Sequence, residues 1–169
     1  MDILFENSYI RNKKLAKEIY RYYYFKRKIY IFSYVMLGFF FTKNLLSAIF
    51  LNSYSLIVFI VAPLCALVPV YCYICQVNAM IQRDNEIHGK EIEVNTVVTD
   101  EFIQSTSSTG GVSKVEFDKI KTAIQTKNLI LLHSKANLIY IFAKDAFNIG
   151  GKEEFVTFLK TKGIKVIGK

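Results

Sequence analysis

Between Lys28 and Arg83 the chain carries a single charged residue, Lys43, and residues 44–82 hold none. That silence limits the fold more than any motif does. The apolar region runs from Ile29 to about Val77, 49 residues. As one helix it would be about 74 Å long at about 1.5 Å per residue. A bilayer core is only about 30 Å thick. Two spans and a turn are therefore expected, the first over 28–46 and the second over 54–75. The turn is placed within 42–53, where Lys43-Asn44 and Asn52-Ser53 are the polar breaks.

Composition is read against that split. Apolar residues make up 52% and charged residues 21%, an average that conceals an oily middle and polar flanks. Aromatic residues reach 15%, which excludes disorder. All three cysteines lie in the oily part, so a disulfide scaffold is excluded.

Inside the spans the chemistry is sparse. Lys43 is costly at mid-bilayer but tolerable near a span's end, where its stem lets the ammonium reach the headgroups; the outer face is its expected place. Pro63 and Pro69 each remove a backbone donor, so a bend is expected in the second span. Neither span contains Asp, Glu, His or Arg, which argues against an ion path or proton relay. Cys72 and Cys75 have redox spacing, but an oily setting disfavours the thiolate, and apolar packing is the reading.

The first 28 residues carry Arg11, Lys13, Lys14, Lys17, Arg21, Lys26, Arg27 and Lys28 against Asp2, Glu6 and Glu18, a net charge of +5. Positive flanks remain cytoplasmic. Two spans return the chain to the same side, so the reading is a multi-pass cell-membrane protein with both termini cytoplasmic. A cleaved signal peptide fits poorly, because the leader is long and charged and no small-residue cleavage pattern follows. Residues 7–28 read as a helix capped by Asn7 or Ser8, with Leu15, Ile19 and Tyr23 on one face. The eight basic residues are the expected membrane-surface contacts, and Tyr20, Tyr22, Tyr23 and Tyr24 suit the interface. The domains are thus a basic juxtamembrane arm (1–28), a transmembrane hairpin (29–77) and a cytoplasmic domain (78–169).

That last domain is nearly neutral. Residues 76–169 hold 13 basic and 11 acidic groups, which is no nucleic-acid footprint. Ile92, Val94, Thr96 and Val98 alternate on one strand face. Strands are expected over 91–98, 101–107, 112–117, 120–126, 129–134 and 138–143, with turns at Thr99-Asp100, Gly110-Gly111, Lys127-Asn128 and 135–137. Then the period changes. Glu153 and Glu154 open a helix, Lys160 and Lys162 suit its last turn, and Phe155, Phe158 and Leu159 share a face. Gly163 stops it and Ile164 covers its end. The fold class is α+β: a membrane hairpin followed by a small antiparallel roll with a C-terminal helix, an architecture like that of pleckstrin-homology domains.

Four segments carry a family resemblance: Val98-Thr99-Asp100-Glu101-Phe102-Ile103-Gln104; Val115-Glu116-Phe117-Asp118-Lys119-Ile120; Ile139-Tyr140-Ile141-Phe142-Ala143-Lys144-Asp145-Ala146-Phe147; and Glu154-Phe155-Val156-Thr157-Phe158-Leu159. With the two spans, the chain resembles the bacterial YcxB-like family over about 29–163. The resemblance implies a membrane hairpin joined to a small C-terminal domain and brings no catalytic residues. Phe117 stands where a tyrosine is usual, and Ala143 where a proline is usual.

Catalytic constellations are missing. His88 and His133 lack ligand partners at metal spacing, Gly110-Gly111 and Gly150-Gly151 lack the phosphate-loop lysine, and the serines have no nucleophile-elbow setting. No enzyme, metal or cofactor is expected. The expected role is noncatalytic: the domain docks a protein partner beside the bilayer, and a homo-oligomer is compatible with the pattern. The alternative is anionic-lipid sensing through Lys114, Lys119, Lys121 and Lys127. A membrane enzyme or transporter is the least supported class.

Overall fold

The computed structural model describes residues 2–26, 28–51, 56–88 and 91–168. The chain divides into two compact units, Lys13–Arg83 and a second made of Met1–Asn12 with Asp84–Lys169.

The second unit is built on two sheets. The first has the order β4-β3-β2-β1-β8, from β1 (Phe5–Arg11), β2 (Ile92–Val98), β3 (Phe102–Ser107), β4 (Val112–Glu116) and β8 (Phe147–Ile149). The other has the order β7-β6-β5-β9, from β5 (Ile120–Gln125), β6 (Leu129–Ser134), β7 (Ile139–Ala143) and β9 (Lys165–Ile167). Every pairing is antiparallel except that of β9 with β5, which runs parallel. The six strands expected between 91 and 143 are present, and Ile92, Val94 and Val98 face inward with Thr96.

Helix α4 (Lys152–Thr161) packs its Phe155 and Leu159 fully into the core. Phe155 lies 4.5 Å from the Phe142 ring and 5.2 Å from Phe5, between centroids. Offset and edge contacts at such spacing add to the stabilisation from burial. The helix ends as expected. Gly163 takes φ +76°, its N–H reaches the Lys160 carbonyl, and Ile164 bonds back to Leu159 while burying its side chain.

The N-terminal residues depart from expectation. Residues 5–11 form β1, not the start of a helix, and its partner is β2, in register from Phe5↔Val98 to Arg11↔Ile92. Phe5, Asn7 and Tyr9 point inward, as a strand's period of two requires. Asn7 is no helix cap; it is a fully buried side chain that holds Ala143. Two further consequences correct the expected order. The first twelve residues leave the basic arm for the β unit, and the apolar helices are inserted between two neighbouring strands instead of preceding the domain.

The other unit is helical. Helix α1 (Lys13–Arg21) buries Leu15, Ala16 and Ile19, so the face read there holds for Leu15 and Ile19, while Tyr23 falls beyond the helix and is half-buried. A π-helical turn, Tyr22–Lys26, follows it. Helices α2 (Lys28–Leu51) and α3 (Leu56–His88) are 24 and 33 residues long. Phe41 meets Phe59 at 5.5 Å, and Phe25 meets Tyr73 at 5.7 Å. Rising numbers on one side meet falling numbers on the other, so α2 and α3 run antiparallel. Both contain a stretch long and apolar enough to cross a membrane, Tyr30–Leu51 and Ile57–Glu86. Lys43-Asn44 does not break α2, and the first helix reaches Leu51. Within it the Thr42 hydroxyl donates to the Gly38 carbonyl at 2.8 Å, so that hydroxyl is satisfied along the helix. Pro63 and Pro69 both lie inside α3.

Candidate binding cleft

The end of β1, the start of β2 and the β3–β4 and β6–β7 turns lie at one end of the β unit. They enclose an open cleft of about 310 Å³. Alternation brings its walls together. Tyr9 and Arg11 are successive inward positions of β1, Ser105 and Ser107 belong to β3, Ser113 to β4 and Tyr140 to β7.

The hydroxyls form a partly satisfied floor. Ser113 and Tyr140 share a 2.7 Å hydrogen bond that links an edge strand of each sheet. Ser105 bonds to the buried Thr96 at 2.8 Å, and Ser107 bonds to Thr109 at 2.8 Å. A hydroxyl offers one donor and two acceptor positions, so Ser105 and Ser113 keep capacity for another partner, whereas Ser107 also meets the Gly111 carbonyl at 3.4 Å and the Gly111 N–H at 3.0 Å and is filled. Burial pushes the Tyr9 phenol up to about 12, against the opposing pull of Arg11, so it is a neutral hydrogen-bonding group at physiological pH.

Arg11 is the one charged residue lining this cleft among the described residues. Its Nη1 reaches Asp84 Oδ1 at 3.4 Å, the outer limit of a hydrogen bond. Arg11 Nε and Asp84 Oδ2 are buried without a hydrogen-bond partner among the described residues. The pair ties the last residue of β1 to Asp84, where the chain rejoins this unit. The rim is apolar: Val112, Leu138 and Ile139 are 64%, 55% and 37% exposed.

A second, wider cleft of about 580 Å³ lies at the start of α4. Lys127, Lys144 and Lys152 stand there with Asp145, Glu153 and Glu154, so its charge is mixed. The Lys144 ammonium already donates to the Thr126 carbonyl at 2.7 Å.

The residues expected to touch a membrane surface are divided between the units. Arg11 is in β1; Lys13, Lys14, Lys17 and Arg21 are exposed on α1, and Lys26 is exposed in the π-helical turn. Arg27 and the side chain of Lys28 lie outside the described residues, as does the side chain of His88. The lysines considered for lipid sensing are dispersed over β4, the turn after it, β5 and the β5–β6 loop. Lys114 covers the Phe102 ring at 3.5 Å, Lys121 is exposed on β5 and Lys127 lines the second cleft. Lys119 pairs with Glu116 at 2.8 Å; that hydrogen bond raises the lysine's pKa and lowers the glutamate's. Cys65 and Cys75 are exposed on α3 and Cys72 is half-buried, all as free thiols. Among the described residues no three His, Cys, Asp or Glu side chains gather.

Sequence reasoning singled out Arg11 only as part of a basic arm. The signal that β1 belongs to the sheet was the alternation Phe5-x-Asn7-x-Tyr9, which the polar Asn7 disguised.

Residues 98–159 match the family described as YcxB-like protein, a stretch running from the end of β2 to Leu159 of α4. No curated protein and no solved structure matches the chain.

Proposed function

We propose, for a chain whose residues 98–159 are those of the YcxB-like family, a noncatalytic membrane-anchored binding module. The observation that carries this is the insertion of α2 and α3 between two hydrogen-bonded neighbours of one sheet. Both helices expose large apolar side chains, Phe50 at 76% and Ile57 at 70% among them. Apolar surface on this scale calls for lipid or another apolar partner. Since β1 and β2 are paired, an inserted hairpin crosses an even number of times and returns to the face it left. The exposed lysines and arginine of α1 favour the cytoplasmic face. The five-stranded and four-stranded sheets with α4 against them support a pleckstrin-homology-like reading of the domain.

In this reading the domain docks a protein partner. The outer edge of β4 ends its sheet and offers backbone groups for strand addition. A photo-crosslinking residue in place of Lys114, on the exposed face of β4, tests this in native membranes. A discrete protein adduct is expected; adducts to lipid alone contradict protein docking and favour recognition of anionic lipid. That second reading has one observation of its own, the Arg11 cleft.

A further inference from the structure

The cleft at the end of β1 combines three chemistries that few ligands match at once. It has one guanidinium, a floor of hydroxyls and an apolar lip. Arg11 makes one long hydrogen bond to Asp84 among the described residues, and its side chain is 31% exposed. A guanidinium carries five donors, so most of its capacity is open to an oxyanion. Ser105 and Ser113 line the cleft with hydroxyl capacity to spare. No carboxylate lines the cleft among the described residues; Asp84, behind Arg11 at 3.4 Å, offsets part of the guanidinium's charge. Val112, Leu138 and Ile139 sit at the rim with much of their surface in the open. A free inorganic anion leaves that rim uncovered; an anion carried on an alkyl chain covers it. Arg11 is also joined through Asn12 alone to the helical unit that begins at Lys13.

We propose that this cleft binds the phosphate group of an anionic membrane amphiphile, held by Arg11 and the serine hydroxyls, with the first carbons of its chain against Val112, Leu138 and Ile139. The inference rests on the membrane reading, because a bilayer is what supplies such amphiphiles beside the domain. The charge-assisted bonds to Arg11 provide most of the selectivity for anions, and the lip provides the preference for a chain.

The test uses the full chain in nanodiscs of phosphatidylcholine. Octyl phosphate and inorganic phosphate are titrated separately by equilibrium dialysis, with protein-free discs as the background. Saturable binding of one octyl phosphate per chain above background is expected, with inorganic phosphate about tenfold weaker or more. Arg11→Gln should weaken octyl phosphate by about tenfold, and Arg11→Lys should restore most of it. Leu138→Ser alters an exposed side chain, so it leaves folding intact; it should weaken octyl phosphate about threefold and spare inorganic phosphate. Absence of saturable binding, or unchanged affinity in both Arg11→Gln and Leu138→Ser, overturns the proposal. Equal affinity for the two probes overturns the amphiphile and assigns the cleft to free phosphate. The fraction of protein that co-purifies with the discs reports membrane association separately: chains that enter the discs yet ignore octyl phosphate reject the cleft alone.

Discussion

The Asn7 carboxamide grips the peptide at Ala143 from both sides: its Nδ2 donates to the Ala143 carbonyl at 2.8 Å, and its Oδ1 accepts the Ala143 N–H at 3.0 Å. One side chain of β1 thus stands in for a neighbouring strand at the end of β7. It fastens the two sheets across 136 residues of sequence. Asn7→Ala leaves the buried Ala143 N–H without its partner, while the carbonyl keeps the Ala146 N–H at 3.2 Å, and should cost about 1–3 kcal/mol. Asn7→Asp should be worse at neutral pH, since a carboxylate cannot donate to the carbonyl, and should recover partly in acid as it gains a proton. Ala143→Pro removes one of the two bonds and should fall between wild type and Asn7→Ala. Thermal unfolding of the domain in one detergent ranks all three.

Gly150 is fixed by its surroundings as well as by its backbone. It adopts φ +72°, and a Cβ there would lie 2.4 Å from the Phe5 ring. That ring is packed against Phe155 and Phe158, at 5.2 and 5.4 Å, and has little room to turn. Gly110 has φ +86° but open space around it. Gly110→Ala should therefore cost only the left-handed backbone penalty, about 1–2 kcal/mol. Gly150→Ala should add about 1–3 kcal/mol of overpacking to the same penalty. Equal unfolding midpoints for the two variants would show that Phe5 yields.

Tyr9 sets an alkaline limit on stability. Its phenol is raised to about 12 in the folded protein from the ordinary value of 10.0, chiefly by burial. Below pH 10 both folded and unfolded chains keep the proton, and the shift has no effect. Between those two values the unfolded chain releases it first, so stability falls as pH rises. Tyr9→Phe has no proton to lose. Its stability curve should be flatter than wild type between about pH 10 and 12 and parallel to it below. Parallel curves throughout would mean that Tyr9 ionises as freely when folded.

Because Arg11 and Ile92 are register partners, β1 and β2 can be joined without the helices. Residues 2–11 linked to 92–168 by a short Gly/Ser loop should give a folded, water-soluble domain, since antiparallel neighbours need a loop of only about 2–5 residues. Residues 91–168 alone lack the strand that lies between β2 and β8, and should not fold. Amide spectra of the two fragments decide the matter: dispersed signals are expected from the first only, and dispersion from both would demote β1 to an accessory.

What the sequence disclosed and what it hid follow from the range of the interactions. The strands from 91 to 143 and helix α4 are specified locally, by alternation, turn residues and the Gly163-Ile164 stop, and their positions were readable. Strand β1 was hidden because its partner β2 lies about 85 residues along the chain and its central inward residue is polar. The short strands β8 and β9 are three residues each, too brief to show a period, and they exist because β1 and β5 offer them an edge. Lys43-Asn44 read as a turn because polarity is the only local sign of a break, yet α2 runs through both residues to Leu51. The cleft was illegible for the same reason as β1: Arg11, Ser107, Ser113 and Tyr140 converge only once the strand register is set.

Single-cysteine labelling tests the central claim, that α2 and α3 cross a bilayer as a hairpin while β1 and the rest of the domain share one face. In a background with Cys65, Cys72 and Cys75 replaced, Ile3→Cys, Leu51→Cys and Lys165→Cys are each probed with an impermeant maleimide in sealed membrane vesicles of known orientation. The account predicts that positions 3 and 165 label together from the cytoplasmic side and that position 51 labels only from the opposite side. Labelling of positions 3 and 165 from opposite sides, or of all three from the same side, would contradict it.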